Sequence, residues 1–158
     1  MKNFQIRNLL DPSVISLFAG ILLETVGLIV YSQTGVNDFN EKLSTPVLVF
    51  AIVAVVFGAI LLFLKAFVLD RLLRGSFEIL PWVNYLFALL GLVYYIGSQV
   101  NYLANVLVSI DGNSISAAFV ITLCMLLLSS VAFLVAGILV KKKVQPQEGG
   151  NENEAERI

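Results

Sequence analysis

Apolar residues fall along this chain in four long blocks, separated by short polar stretches, with no period-two alternation inside them. The blocks cover about 13–31, 46–67, 80–98 and 116–140. A helix rises about 1.5 Å per residue, so about 20 residues cross a hydrocarbon core of about 30 Å. All four blocks are long enough. In hydrocarbon the backbone must satisfy its own hydrogen bonds, so each block is predicted to be an α-helix. A membrane β-barrel needs short alternating segments, and these blocks are continuous. The predicted fold is an all-α, integral membrane four-helix bundle over residues 1–143, followed by an acidic tail over 144–158.

The block ends carry helix-start signals. Asp11-Pro12-Ser13 and Ser44-Thr45-Pro46 place Pro at or near a first turn, and Pro81 does the same for the third block. Asp111-Gly112-Asn113 is a turn signal before the fourth. Trp82 and Tyr85 near one end, and Tyr31 and Tyr102 near the other, suit interfacial aromatic belts. Lys2 and Arg7 ahead of the first block resemble the start of a signal peptide. The apolar stretch is too long for a signal core, and no A-x-A-like site follows, so an uncleaved helix is expected.

Between the blocks, the stretch 99–110 is amphipathic and is expected to prolong the third helix beyond the bilayer. The stretch 69–78 mixes both charges and suits a short helical extension. The tail holds four glutamates and one arginine among Gln, Asn and Gly, and is expected to be disordered.

Basic residues set the expected orientation. Lys2, Arg7, Lys65, Arg71, Arg74, Lys141, Lys142, Lys143 and Arg157 share one side if both termini do, and only Lys42 lies on the other. By the positive-inside rule, both termini are expected in the cytoplasm of a multi-pass cell-membrane protein.

Composition narrows the chemistry. The 158 residues are 58% hydrophobic and 13% charged, where a soluble domain is about a quarter charged. A net charge of -1 offers no field for nucleic acid. There is no histidine, which removes the usual general base and the commonest metal ligand. Cys124 has no base to pair with and is expected to be a small core residue. Ser129 and Ser130 are expected to bond back to helix carbonyls. No catalytic, metal or cofactor site is expected, and no enzymatic activity.

Small and polar residues form stripes at spacings of three and four. In the first block these are Ser13, Ser16, Gly20, Glu24, Gly27 and Tyr31; in the second, Ala51, Ala54 and Gly58. In the third they are Asn84, Ala88, Gly91, Tyr95 and Ser98, continuing to Asn101 or Tyr102; in the fourth, Ala118, Thr122, Ser129, Phe133 or Ala132, and Ala136. Small residues let helices approach in lipid and polar ones bond across, so each stripe is expected to face inward.

Glu24 is the one charge-capable side chain near the middle of a block. A charge at a helix centre costs about 2.5–3.5 kcal/mol on insertion scales. The first block's eleven Leu, Ile, Val and Phe residues offset it at roughly 0.3–0.6 kcal/mol each. Insertion survives, but Glu24 must face the bundle. With no cation at matching depth, the neutral acid is the expected form. The expected site joins Glu24, flanked by Gly20 and Gly27, to Asn84, Tyr94 or Tyr95 of the third block.

The segment Ala19-Gly-Ile-Leu-Leu-Glu-Thr-Val-Gly27 resembles the first helix of the small multidrug resistance transporters. Those proteins also have four helices, with a helix-one glutamate followed three residues later by glycine. The resemblance spans about nine residues. This chain and its loops are longer, and its third block lacks that family's Gly-x-Gly and tryptophan pattern. Over most of the chain, the layout is similar to uncharacterised four-helix membrane proteins of Gram-positive bacteria, with Ser109-Ile-Asp-Gly-Asn113 before the fourth helix and lysines after it. Those often accompany carbohydrate-uptake genes, which implies a transporter-associated role. The leading expectation is a non-enzymatic accessory or interaction subunit of a membrane complex, with the lipid bilayer and a membrane-protein partner or second copy as its contacts. The alternative is a small oligomeric ion-coupled transporter using Glu24.

Cysteines introduced at Gln33 and Asn113 should label from outside intact cells, and one at Glu148 should not. External labelling at Glu148 would overturn the orientation.

Overall fold

The first and last spanning helices begin where the chain supplies a side-chain acceptor for a free N–H group. In the computed structural model, which describes residues 11–34, 43–67, 79–108 and 115–144, Asp11 caps the first helix. Its carboxylate accepts the Ser13 N–H (3.2 Å), and its carbonyl accepts those of Val14 and Ile15. Pro12 is the first helical residue, where a missing N–H leaves nothing unsatisfied. Helix α1 then runs Pro12–Thr34, α2 Thr45–Phe67, α3 Leu80–Ser98, α4 Val100–Leu107 and α5 Ala117–Val144. At the start of α5 the Ser116 hydroxyl accepts the Phe119 N–H (3.2 Å). The turn at Asp111-Gly112-Asn113, the stretch 69–78 and the tail beyond Val144 lie outside the described residues.

Four of the helices match the apolar blocks, and all four are long and apolar enough to cross a membrane. Only 28–33% of each spanning window is buried inside the bundle. The rest presents Ile, Leu, Val and Phe outward, among them Ile15, Phe18, Leu22, Val26 and Ile29 of α1. An outer face of that composition is at home in lipid and not in water, which makes the chain a multi-pass membrane protein.

Named contacts give the topology. Lys65, near the end of α2, pairs with Asp11 ahead of α1 (3.9 Å) and donates to the Ser13 hydroxyl. Tyr31, near the end of α1, meets Ser44 ahead of α2. Those two helices are therefore antiparallel. Gly58 and Gly91 of the α2/α3 pair sit against Asn84 and Ala51, and Trp82 of α3 packs over Gly137 of α5. The helices run up, down, up, down in a ring in which α5 closes against α1.

The α1/α5 contact is the most extensive, and the sequence of α1 explains it. A Cβ added at Gly20 would lie 2.6 Å from the Phe133 ring, and one at Gly27 3.2 Å from Met125. The missing side chains let a whole aromatic ring and a helix flank occupy their place. The Ser16 hydroxyl donates to the Ala132 carbonyl across the same seam (2.7 Å). In lipid, dispersion and interhelical bonds of this kind drive association, because apolar burial gains little when the solvent is itself apolar.

The inward stripes lie where their spacing puts them. Ser13, Gly20, Glu24, Gly27 and Tyr31 are buried on α1, and Ala51, Ala54 and Gly58 on α2. Two apolar clusters fill the interior. Leu17, Ala54, Leu61, Ala88, Phe133 and Ala136 form one near the Ser13 end. Tyr31, Val47, Leu92, Tyr95 and Leu126 form the other near the Tyr31 end.

Two expectations need correction. The amphipathic stretch does not prolong α3. The chain turns at Gln99 (φ -101°, ψ 6°), whose N–H is shared between the Tyr95 and Ile96 carbonyls, and α4 starts as a separate helix. Cys124 is not in the core. It is exposed on the outer face of α5, because the inward register there belongs to Thr122 and Leu126.

Gly20→Ala should destabilise the bundle. The added methyl forces the fully buried Phe133 ring to move, an overpacking cost of about 1–3 kcal/mol that outweighs about 1 kcal/mol of helix propensity gained. Gly97 has nothing within 4 Å of its would-be Cβ, so Gly97→Ala should leave stability unchanged or higher. Thermal unfolding of both variants in one detergent decides it; equal shifts would show that the Gly20 seam is not tight.

Candidate functional site

Midway along α1 the inward stripe presents Glu24, with no exposed surface. Leu17 and Tyr31, seven residues to either side, belong to the two apolar clusters. The carboxylate therefore lies in the layer between them. Small residues make room for it: Oε1 lies 3.8 Å from where a Cβ would sit on Gly91 of α3, and Ala51 of α2 backs the same glycine. On α5 the side chain beside it is Ser129.

The Ser129 hydroxyl is the polar neighbour of the Glu24 carboxylate, which meets no other hydrogen-bond donor among the described residues. Asn84 of α3 is also fully buried, with both amide atoms unbonded. Its nitrogen lies 3.1 Å from the would-be Cβ of Gly58, at the level of Ile21 and so toward the Ser13 end from Glu24. More than nine in ten buried polar groups are normally satisfied. Glu24, Ser129 and Asn84 thus put buried polar side chains from three helices inside the bundle, and the two amide atoms of Asn84 have no partner there.

The remaining expected site residues fall elsewhere. Gly20 and Gly27 flank Glu24, but they serve the α5 seam. Tyr94 points outward, 45% exposed, and stacks on Phe50 with ring centroids 5.3 Å apart. It cannot serve Glu24. Tyr95 is buried, but its hydroxyl donates to the Phe119 carbonyl (3.3 Å) at the start of α5. Of the three partners proposed on the third block, only Asn84 keeps its polar atoms free inside the bundle.

Ser129 is buried on the inward stripe where its spacing puts it, but its expected bond back to a helix carbonyl is not made. Ser130 does bond back to a helix carbonyl, that of Leu126 (2.9 Å). The spacing Thr122, Ser129, Ala136 held the signal, because seven residues are nearly two full turns and keep all three on the inward face.

Among the described residues, no three His, Cys, Asp or Glu side chains converge. The Lys65–Asp11 pair sits at the end of the bundle, thirteen residues and roughly 20 Å along α1 from Glu24.

A second polar feature closes the Tyr31 end. The Tyr31 hydroxyl accepts the Ser44 N–H (2.8 Å), and the Tyr102 hydroxyl accepts the Ser116 N–H (2.7 Å). Each tyrosine thus ties down the residue just ahead of the next spanning helix. Tyr95 joins them: its ring meets Tyr31 edge-on at 5.4 Å and stacks with Phe119 at 5.9 Å, while Tyr102 meets Phe119 at 5.7 Å.

No protein-family model matches the chain, and no significant match to it is found among curated proteins or solved structures.

Tyr31→Phe and Tyr102→Phe should each lower stability by about 0.5–1.5 kcal/mol, since each removes one hydrogen-bond acceptor and keeps the ring. Tyr94→Phe should have no effect. Unfolding in detergent measures all three, and a Tyr94→Phe loss equal to the others would refute the special place of the two tyrosines.

Proposed function

We propose that the chain is a small ion-coupled membrane transporter, working as an oligomer, with Glu24 as its coupling residue. The observation that carries this is a fully buried carboxylate near the middle of a spanning helix, with a single serine hydroxyl as its polar neighbour. Around it are small residues, Ala51 and Gly91, which bring its charge no protein counter-ion. A carboxylate in this position is tolerated only when a proton neutralises it or a bound cation balances its charge. Binding and release of that ion therefore changes the free energy of the interior by several kcal/mol, enough to bias one packing of the helices over another. With nine of ten Lys and Arg residues on one side of the spans, we place both termini in the cytoplasm of the cell membrane.

A second reading, an accessory or interaction subunit of a membrane complex, is favoured by one outward feature. Tyr94, Gly97 and Asn101 are exposed along the α3 to α4 edge, where the rest of the outer face is apolar. Another transmembrane helix could pack there.

Wild-type protein and Glu24→Gln should be compared in proteoliposomes under an imposed ion gradient. Ion flux in the wild type and at least a tenfold loss in a folded Glu24→Gln protein is the expected result. Equal flux in both overturns the coupling role. Purification in mild detergent separates the two readings: a stoichiometric partner protein favours the accessory subunit, and a homo-oligomer favours the transporter.

A further inference from the structure

Helix α4 is too short to cross a membrane, yet it carries the most exposed large apolar side chain among the described residues, Leu107, at 83%. Val100 and Ala104 are exposed on the same helix. With a turn of about 100° per residue, these three fall within one arc of about 60°. Asn101 and Asn105 lie on a neighbouring face. Tyr102 is buried on a third, with its hydroxyl on the Ser116 N–H and its ring against Phe119.

The apolar arc continues a surface already assigned to lipid. Leu86, Leu90, Val93 and Ile96 are exposed along α3 at spacings of three and four, and Val100, Ala104 and Leu107 carry the same spacing onward. Depth makes the continuation a problem. The 19 residues of α3 cover about 28 Å at about 1.5 Å each, close to the whole hydrocarbon core. A straight extension would lift Leu107 about 13 Å past Ser98 and leave the arc in water. The turn at Gln99 breaks the axis and frees α4 to tilt toward the membrane surface. The eight residues Val100–Leu107 hold no charged side chain, so no ion has to be drawn into the boundary. A helix with one apolar and one polar face settles about 5–10 Å into the boundary between headgroups and acyl chains.

We propose that α4 is an interfacial helix, seated in the lipid headgroup layer at the Tyr31 end of the bundle. Val100, Ala104 and Leu107 enter the acyl chains, and Asn101 and Asn105 face the headgroups and water. The partner is the bilayer surface. It is recognised through apolar area alone, because the helix carries no cation for anionic headgroups. The Tyr102 contact with Ser116 holds the other side of α4 to the bundle.

The test uses full-length protein carrying Cys124→Ser, reconstituted at high lipid-to-protein ratio into phosphatidylcholine vesicles. A nitroxide label is attached in turn to Val93→Cys, Asn101→Cys, Ala104→Cys and Leu107→Cys. Oxygen concentrates in lipid and a polar nickel chelate stays in water, so the ratio of their collision rates with the label reports its depth. The ratio at Ala104 and Leu107 should be several-fold above that at Asn101, and nearer the value at Val93. If Leu107→Cys yields no folded protein, Ala104→Cys decides alone. A ratio that falls steadily from Val93 through Asn101 and Ala104 to Leu107 means that α4 stands up into water, and overturns the proposal. Low collision rates with both reagents at Ala104 and Leu107 mean that protein covers the face, from a second copy or another segment, and overturn it as well. Replacing part of the lipid with anionic phosphatidylglycerol should leave the ratios unchanged; insertion seen only with the anionic lipid overturns recognition through apolar area alone.

Discussion

The bundle depends on close approach between helix backbones in a solvent that gives them no hydrophobic reason to associate. Outward Ile, Leu, Val and Phe side chains are as comfortable in lipid as they would be inside. What favours the associated state is contact that lipid cannot make as well. The α1/α5 seam supplies it. Gly20 gives way to the Phe133 ring, Gly27 to the flank of α5, and Ser16 bonds across the gap. The α2/α3 seam repeats the device with Gly58 and Gly91. Since α1 touches both α2 and α5, these seams close the ring and place the inward face of α1 at its centre.

That closure gives Glu24 its environment. The carboxylate is remote from water because the seams around it are tight. Its polar neighbours are few because the residues that make those seams tight are Gly and Ala, which carry no polar side chains. Close packing and polar satisfaction conflict at this layer, and packing has won. A sequence under no functional constraint would resolve the conflict with an apolar residue at position 24, since replacing a buried polar group and its partners with apolar groups is usually neutral or favourable. The retained carboxylate is the strongest reason to read the layer as a site.

The ends of the bundle are held differently from its middle. Near the interface, water and aromatic side chains both compete for the free N–H groups at helix starts. Tyr31 and Tyr102 bring their hydroxyls to Ser44 and Ser116, while their rings stay buried in the aromatic group around Tyr95 and Phe119. One side chain thus serves the apolar and the polar side of the boundary, as amphipathic aromatics do at membrane surfaces. The opposite end is held by charge, with Lys65 reaching Asp11 and Ser13.

The four spans, their starts and their inward faces were legible in the sequence, because each is a local property. Length and continuity of apolar residues follow from the thickness of the hydrocarbon, and a stripe at spacings of three and four fixes which side of a helix can face its neighbours. Glu24 was visible for the same reason, as a costly residue in the middle of a span. Its surroundings were not. Tyr94 and Tyr95 are adjacent in the chain, yet one stacks outside on Phe50 and the other is committed to Phe119. That choice depends on the rotation of α3 about its axis, which its neighbours set. Ser129 and Ser130 likewise look alike in sequence, and only the register of α5 against α1 turns one toward Glu24 and the other back onto its own helix. The break at Gln99 is followed by α4, whose Tyr102 reaches Ser116, a contact across fourteen residues. The sequence by itself determined which side chains are buried in the membrane. Which of them meet was left to the packing of the helices, because rotation and register are settled by contacts between segments distant in the chain.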